Sequence, residues 1–293
     1  MRKNPRAFPF FLFPMLILIL SLLYPAASAR GVREGLRLVT DAALGALFPA
    51  LVLSRLLCAC LGRAGGRTGL FLPLLLGLVS GLPVGAVAAT DLARRGVIRK
   101  GEAERMLFFC NNPGPAFLVG YCGKQIFGSE RIGWLLFGAQ SALAILSFFF
   151  FFYKELSAKR EVSARSPSPP LSRLLTESIR EAGSAFFYLA CCILFFSFLT
   201  RLVCTVGGLA GTGYALTALF FECTGGVGAL KALPRTLALP LCGAGVGWAG
   251  LSVHFQTLGV LSEASLSPRY YFAGKAFFAL FLAVAVEIFK KCL

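Results

Sequence analysis

Three polar segments rich in Gly and Pro interrupt an otherwise apolar chain: Ser80-Gly81-Leu82-Pro83-Val84-Gly85, Asn111-Asn112-Pro113-Gly114-Pro115, and the run from Gly247 to Gln256. Two isolated charges, Glu222 and Lys275, accompany them. These residue types bind rather than break bonds. A Pro or Gly that stops a helix frees backbone N–H groups where the next helical stretch begins, and the partial positive charge there attracts anions. Pro83 and Pro115 are placed to open two such half-helices. Asn, Ser, Gln and His add short donors and acceptors, and Ser252, Gln256 and Gly259 share one helical face. The candidate solute-contacting set is Ser80, Gly81, Pro83, Gly85, Asn111, Asn112, Gly114, Gly250, Ser252, His254, Gln256 and Lys275, with Glu222 as a site for a coupling cation or proton. Each also fits a packing role. Gly and Pro loosen membrane helices for contact alone, Asn bridges helices, and a lone His packs among apolar neighbours. Glu222 also suits a helix cap, and Lys275 a cation snorkelling to the interface.

Catalytic arrangements are not found. There is one His and no evident Ser–His–Asp or Cys–His grouping. The HExxH zinc signature is absent. Without a Walker A motif the chain alone is not expected to pump with ATP. Cys58-x-Cys60 and Cys191-Cys192 lack zinc-site spacing, so the cysteines are read as small apolar packing residues. No catalytic residue, metal or cofactor is expected.

The elements that must carry these segments are membrane helices. Hydrophobic types make up 57% of the 293 residues and charged types 14%, against about 25% charged in soluble domains. Charge-free blocks run over 7–29, 68–90, 106–123, 132–153, 182–200 and 236–253. A bilayer core takes roughly 20 apolar residues per helix, so the chain is an all-α polytopic membrane protein. The net charge of +16 sits in short loops between the blocks, as the positive-inside rule expects, and nucleic acid is not an expected partner.

Residues 1–29 form a first membrane helix or a signal-like segment, since Arg2, Lys3 and Arg6 precede an apolar run that ends at Ala27-Ser28-Ala29. Residues 30–153 form a first half. It holds an amphipathic helix and span, a hairpin over 70–93 and a broken helix over 102–123. Arg63 and Arg67 precede the 70–93 stretch; Arg94, Arg95, Arg99 and Lys100 follow it. A re-entrant hairpin keeps both clusters on the cytoplasmic side, and its irregular tip must be enclosed by protein or line a wet cavity. A Pro/Ser/Lys/Arg linker over 154–172 follows. Residues 173–293 form a second half, whose broken stretch 237–261 is read as a second hairpin. The halves share Leu72-Pro73-Leu74 with Leu239-Pro240-Leu241, and Glu34-Gly35-Leu36-Arg37 is echoed by Glu177-Ser178-Ile179-Arg180. Paired discontinuous segments mark a transporter's midplane site. With Lys290 and Lys291 inside, the second hairpin enters from outside and the repeats are inverted; Lys231 and Arg235 on the outer side stand against this.

The Ser80–Ala86 motif, Asp91-Leu92-Ala93-Arg94-Arg95-Gly96 and Asn111–Pro115 together resemble the sporulation integral membrane protein YlbJ family, of the nucleoside-recognition or gate domain superfamily. Phe48–Leu51 is similar to its second span and Gly250–Gln256 to its second hairpin. The chain departs from the family in a shorter 60–69 connector, in Asn112-Pro113, and in Lys275 where the family tends to have Arg. The resemblance implies an architecture similar to concentrative nucleoside transporters. It implies transport of dipicolinic acid from mother cell toward forespore, across the mother-cell-derived outer forespore membrane. A planar dianion would need the N–H donors, amides and cation named above. A nucleoside or nucleobase carrier is the alternative within transport. A structural membrane protein of a sporulation complex is the alternative outside it. Other sporulation membrane proteins and a second copy of the chain are further expected partners.

Overall fold

A computed structural model describes residues 7–61, 68–157 and 169–289, and among these every regular element is helical. The N- and C-terminal basic residues, Arg63 and Arg67 of the basic connector, and most of the 154–172 linker lie outside the described residues. The orientation argument drawn from those charges lies there too.

Apolar α1 (Ala7–Leu23) meets α2 (Pro25–Arg37) at a bend of 103°. The amphipathic helix thus starts at Pro25, not at Arg30. Pro suits that first position because its missing N–H would be unpaired there anyway. A π-helical turn, Leu38–Leu44, leads into α3 (Gly45–Leu61). Then come α4 (Thr68–Ser80) and α5 (Val84–Arg94). They fold back on each other, and a Cβ on Gly85 would lie 3.0 Å from the Cα of Gly77. Every residue from Val84 to Leu92 is buried, and so are Gly81 and Pro83 of the irregular tip, as such backbone at membrane depth requires. Helices α4 and α5 thus form a helical hairpin over 68–94.

Short α6 (Lys100–Met106) stops before Asn111, and helical structure resumes after Pro115 as a π-helix, Ala116–Ile126. The long span α7 (Glu130–Ser157) closes the first half. Gly123 and Gly133 bring it against the π-helix, a Cβ on Gly123 falling 2.8 Å from the Gly133 nitrogen.

The second half opens with α8 (Leu171–Val206), in which amphipathic segment and span form one helix. It packs on α2, where a Cβ on Gly31 would lie 2.7 Å from the Cα of Phe198, and Arg201 pairs with Glu34. Next are α9 (Gly211–Phe221) and α10 (Cys223–Ala229), joined only by Glu222. A Cβ on Gly226 would strike Leu219, so these two also fold back on each other. Then α11 (Arg235–Trp248) and α12 (Gly250–Ser262) follow, and α13 (Arg269–Phe289) ends the described chain.

Here the expected second hairpin needs correction. Residues Arg235–Ser262 run as one interrupted span of 28 residues. The pair that folds back in this half is α9–α10, at 211–229. The glycines of 243–250 marked this stretch as broken. Most are contact points: Gly243 and Gly247 ride on the α13 backbone at Leu282 and Ala279, and Gly245 meets Leu219. Only Ala249 (φ 72°) and Gly250 (φ 80°) leave helical geometry. In each half a pair of helices that folds back is followed by an interrupted helix and then a long apolar helix.

Among the described residues, four helices are long and apolar enough to cross a membrane, five if bent α1–α2 counts as one. Their outward side chains are apolar, with Phe150 82% and Leu280 67% exposed, as expected of surfaces that face lipid.

Candidate functional site

The first hairpin ends its inbound arm at Ser80, turns at Gly81 (φ 85°) and starts α5 behind Pro83. The tip rests on the α6 break. A Cβ on Gly81 would fall 2.6 Å from the Gly114 nitrogen, and one on Gly114 would fall 3.1 Å from the Gly81 nitrogen. Gly77 and Gly85, one on each arm, leave room for the Cys110 carbonyl.

The exposed backbone of the break is then satisfied by side chains. Asn112 Nδ2 donates to Phe109 O at 2.8 Å, Gln140 Nε2 to Pro113 O at 2.8 Å, and Lys275 Nζ to Asn111 O. Asn111 Nδ2 reaches across to Thr257 Oγ1 at 2.9 Å, tying the first break to α12. Unpaired groups in an apolar interior cost several kcal/mol each, so these contacts hold the break open at a fixed shape.

The second break is built in the same way. A Cβ on Gly250 would fall 2.9 Å from the Cys223 nitrogen, so the α11–α12 break sits on the α9–α10 tip. Glu222 caps α10, accepting from Thr224 N at 3.1 Å and Gly225 N at 2.6 Å. Tyr121 of the 116–126 π-helix donates to Thr224 O at 3.1 Å.

Between the two tips lies a cavity of about 610 Å³. Its wall takes Ser80, Gly81 and Leu82 from one tip, Glu222, Cys223 and Thr224 from the other, Pro113 and Gly114 from the first break, and Val253 and Gln256 from α12. Arg37, Asp41, Tyr121 and Gln125 complete its polar lining. Of the residues singled out in the sequence, Ser80, Gly81, Gly114, Gln256 and Glu222 face this cavity. Pro83 faces a neighbouring one.

The others stand in neither lining. Gly85, Asn111, Asn112 and Gly250 build the breaks. Ser252, fully buried, accepts from Gln256 Nε2 at 3.0 Å. His254 Nδ1 lies 2.7 Å from the Tyr271 hydroxyl, with its ring edge-on to Trp248 at 4.3 Å. Lys275 is buried behind the break.

Two groups of cavity and near-cavity residues escaped the sequence reading. The first is Arg37, Asp41, Tyr121, Gln125 and Thr224, which no motif joins. The second is an ion cluster beside the neighbouring cavity. Arg55 Nη1 meets Asp91 Oδ1 at 3.2 Å and Glu181 Oε2 at 2.9 Å. Arg94 Nη2 meets the same two oxygens at 2.8 and 2.9 Å. Arg55, a cation inside the apolar segment 45–61, was the available signal, because charges at membrane depth point to function.

The comparisons agree with this picture at a coarse level. The chain is similar to the sporulation integral membrane protein YlbJ of Bacillus subtilis (strain 168), with 23% identity over 331 aligned positions covering 92% of this chain and 79% of that protein. This chain is a distant relative of a sporulation membrane protein. The likeness supports the family suggested by the Ser80–Ala86 and Asn111–Pro115 motifs, and the apolar spans make the chain a multi-pass membrane protein. No family model matches the chain, and no solved structure matches it.

Proposed function

We propose that the chain is a carrier of a small polar solute that acts during sporulation, with a pyridine dicarboxylate such as dipicolinate as the cargo. The observation that carries this reading is the cavity on which both hairpin tips and the first helix break converge. Its volume falls within the roughly 300–1,000 Å³ of small-molecule sites. Interrupted helices at membrane depth are tolerated where they are buried in protein or line a cavity, and paired interruptions mark transporter sites. The shared order of folded-back pair, interrupted helix and long apolar helix supports two repeats, and rocking of one against the other gives alternating access. Inverted orientation, and a place in the outer forespore membrane, belong to the same proposal through the family resemblance.

Ser80 and Gln256 offer neutral hydrogen bonds to the solute, and Arg37 offers charge. Asn111, Asn112 and Lys275 act behind the wall, holding the break that presents Pro113 and Gly114. Glu222 takes the coupling role. An ionised carboxylate in the wall repels a dianion, so a proton taken up by Glu222 or by the solute accompanies each anion.

The same carboxylate favours a second reading. With Glu222 and Asp41 against Arg37, the wall also suits an uncharged nucleoside or nucleobase. Uptake of radiolabelled pyridine-2,6-dicarboxylate and of uridine into vesicles containing the purified chain separates the two. Accumulation of the dicarboxylate above protein-free vesicles is the expected result. Uptake of uridine alone selects the second reading. Uptake of neither favours a structural role in a sporulation complex.

A further inference from the structure

The neighbouring cavity, about 680 Å³, opens among α3, α5, α8 and α12. Arg55, Arg94 and Arg180 line it together with Glu177, Glu181 and Glu263. Arg55 is 2% exposed, yet its guanidinium is incompletely bonded. Nη1 serves Asp91 and Glu181, Nη2 approaches Glu263 Oε1 only to 3.8 Å, and Nε has no partner. Arg94 repeats the pattern: Nη2 is engaged, while Nη1 stands 3.9 Å from Glu263 Oε2. Two guanidinium edges thus face one carboxylate that neither hydrogen-bonds, since such bonds end near 3.2 Å. Guanidinium groups bind carboxylates best through two parallel N–H bonds, and here Asp91 and Glu181 engage one nitrogen of each arginine while the edges toward Glu263 stay without a hydrogen bond.

The position of the cavity adds a second argument. Gln256 and Leu189 line both cavities, and the hairpin tip is shared, with Leu82 on one side and Pro83 on the other. A solute released through this partition passes directly from one space to the other.

We propose that this second cavity is a carboxylate-receiving vestibule. Glu181 and Glu263 occupy Arg55 and Arg94 until a carboxylate of the solute displaces them. The proposal rests on the carrier reading for its place in a path, but binding at the vestibule is measurable without transport.

The test is equilibrium binding of pyridine-2,6-dicarboxylate, and of benzoate as a monocarboxylate probe, to the purified full chain in detergent. Thermal melts of the same preparations check folding. Glu181→Gln and Glu263→Gln remove the internal competitor, so both are expected to bind the probes about three- to tenfold more tightly than wild type. Arg94→Gln, on a partly exposed side chain, is expected to bind them about tenfold more weakly while remaining folded. A cluster that serves stability alone predicts lower melting temperatures and no gain in either Gln variant. Unchanged or weaker binding in Glu181→Gln and Glu263→Gln overturns the vestibule, as does a wild type that binds neither probe. Tighter binding in those variants without vesicle uptake leaves the vestibule standing and removes the carrier reading. Uptake without the tightening does the reverse.

Discussion

Glu222 is held by two demands at once. Its carboxylate caps α10 through Thr224 N and Gly225 N, and it stands in the cavity wall. If it sets the proton requirement, uptake of a dicarboxylate rises as pH falls through the titration of this group. Glu222→Gln keeps a capping oxygen and removes the charge, so uptake in that variant is expected to lose most of its pH dependence. Initial rates between pH 5.5 and 8 check this. The Asn111–Thr257 bond makes a separate claim, namely that the two halves are coupled through it. A double-mutant cycle of Asn111→Ala and Thr257→Val is expected to give a coupling of about 0.6 kcal/mol in thermal or denaturant stability. Additive effects would show that the contact carries nothing. At this scale the sequence was informative about residue type and poor about direction. Asn111 and Asn112 announced a break, but their amides turn onto Thr257 and Phe109 rather than into the cavity. Only the three-dimensional neighbours decide that turn.

At the scale of elements, the two hairpins were unequally legible. The first was visible because Gly81 and Pro83 interrupt an apolar run flanked on both sides by arginines. The second was hidden. Its arms, 11 and 7 residues long, are too short to read as membrane helices, and its tip is a single acid. The Gly-rich row after it drew the hairpin reading to 237–261, although most of those glycines serve close contact with α13 and α9. Glycine marks both breaks and tight crossings, and spacing alone does not separate the two. The first tip gives a direct test. Gly81→Ala meets both a left-handed backbone and the Gly114 nitrogen, and Gly85→Ala drives a methyl into the Cys110 carbonyl. Each is expected to lower stability by about 1–3 kcal/mol. Gly96→Ala has the same sign of φ (70°) but open space around it, so it is expected to cost about 1 kcal/mol. Melting temperatures of the three variants in one detergent decide whether crowding or backbone strain dominates.

In the whole molecule, the hairpin tips rest on the helix breaks and side chains tie distant parts of the chain together. Asn111 to Thr257 and Lys275 to Asn111 run across the halves, and the Arg55–Asp91–Glu181–Arg94 cluster fastens α3 and α5 to α8. The broad outline was legible from hydropathy. The joints were not, because their partners stand 36 to 164 residues apart in sequence. One joint also bears on the electrical integrity of the cell. Leu189 and Gln256 face both cavities, so these two side chains stand in the partition between them. On the carrier reading, shortening both, as in Leu189→Ala with Gln256→Ala, is expected to turn the protein into a conducting pore. Planar-bilayer recordings are expected to show ionic current in the double variant and none in the wild type. A host cell expressing the double variant would dissipate its membrane potential, and selection for a sealed bilayer would then oppose small residues at these two positions whatever the cargo.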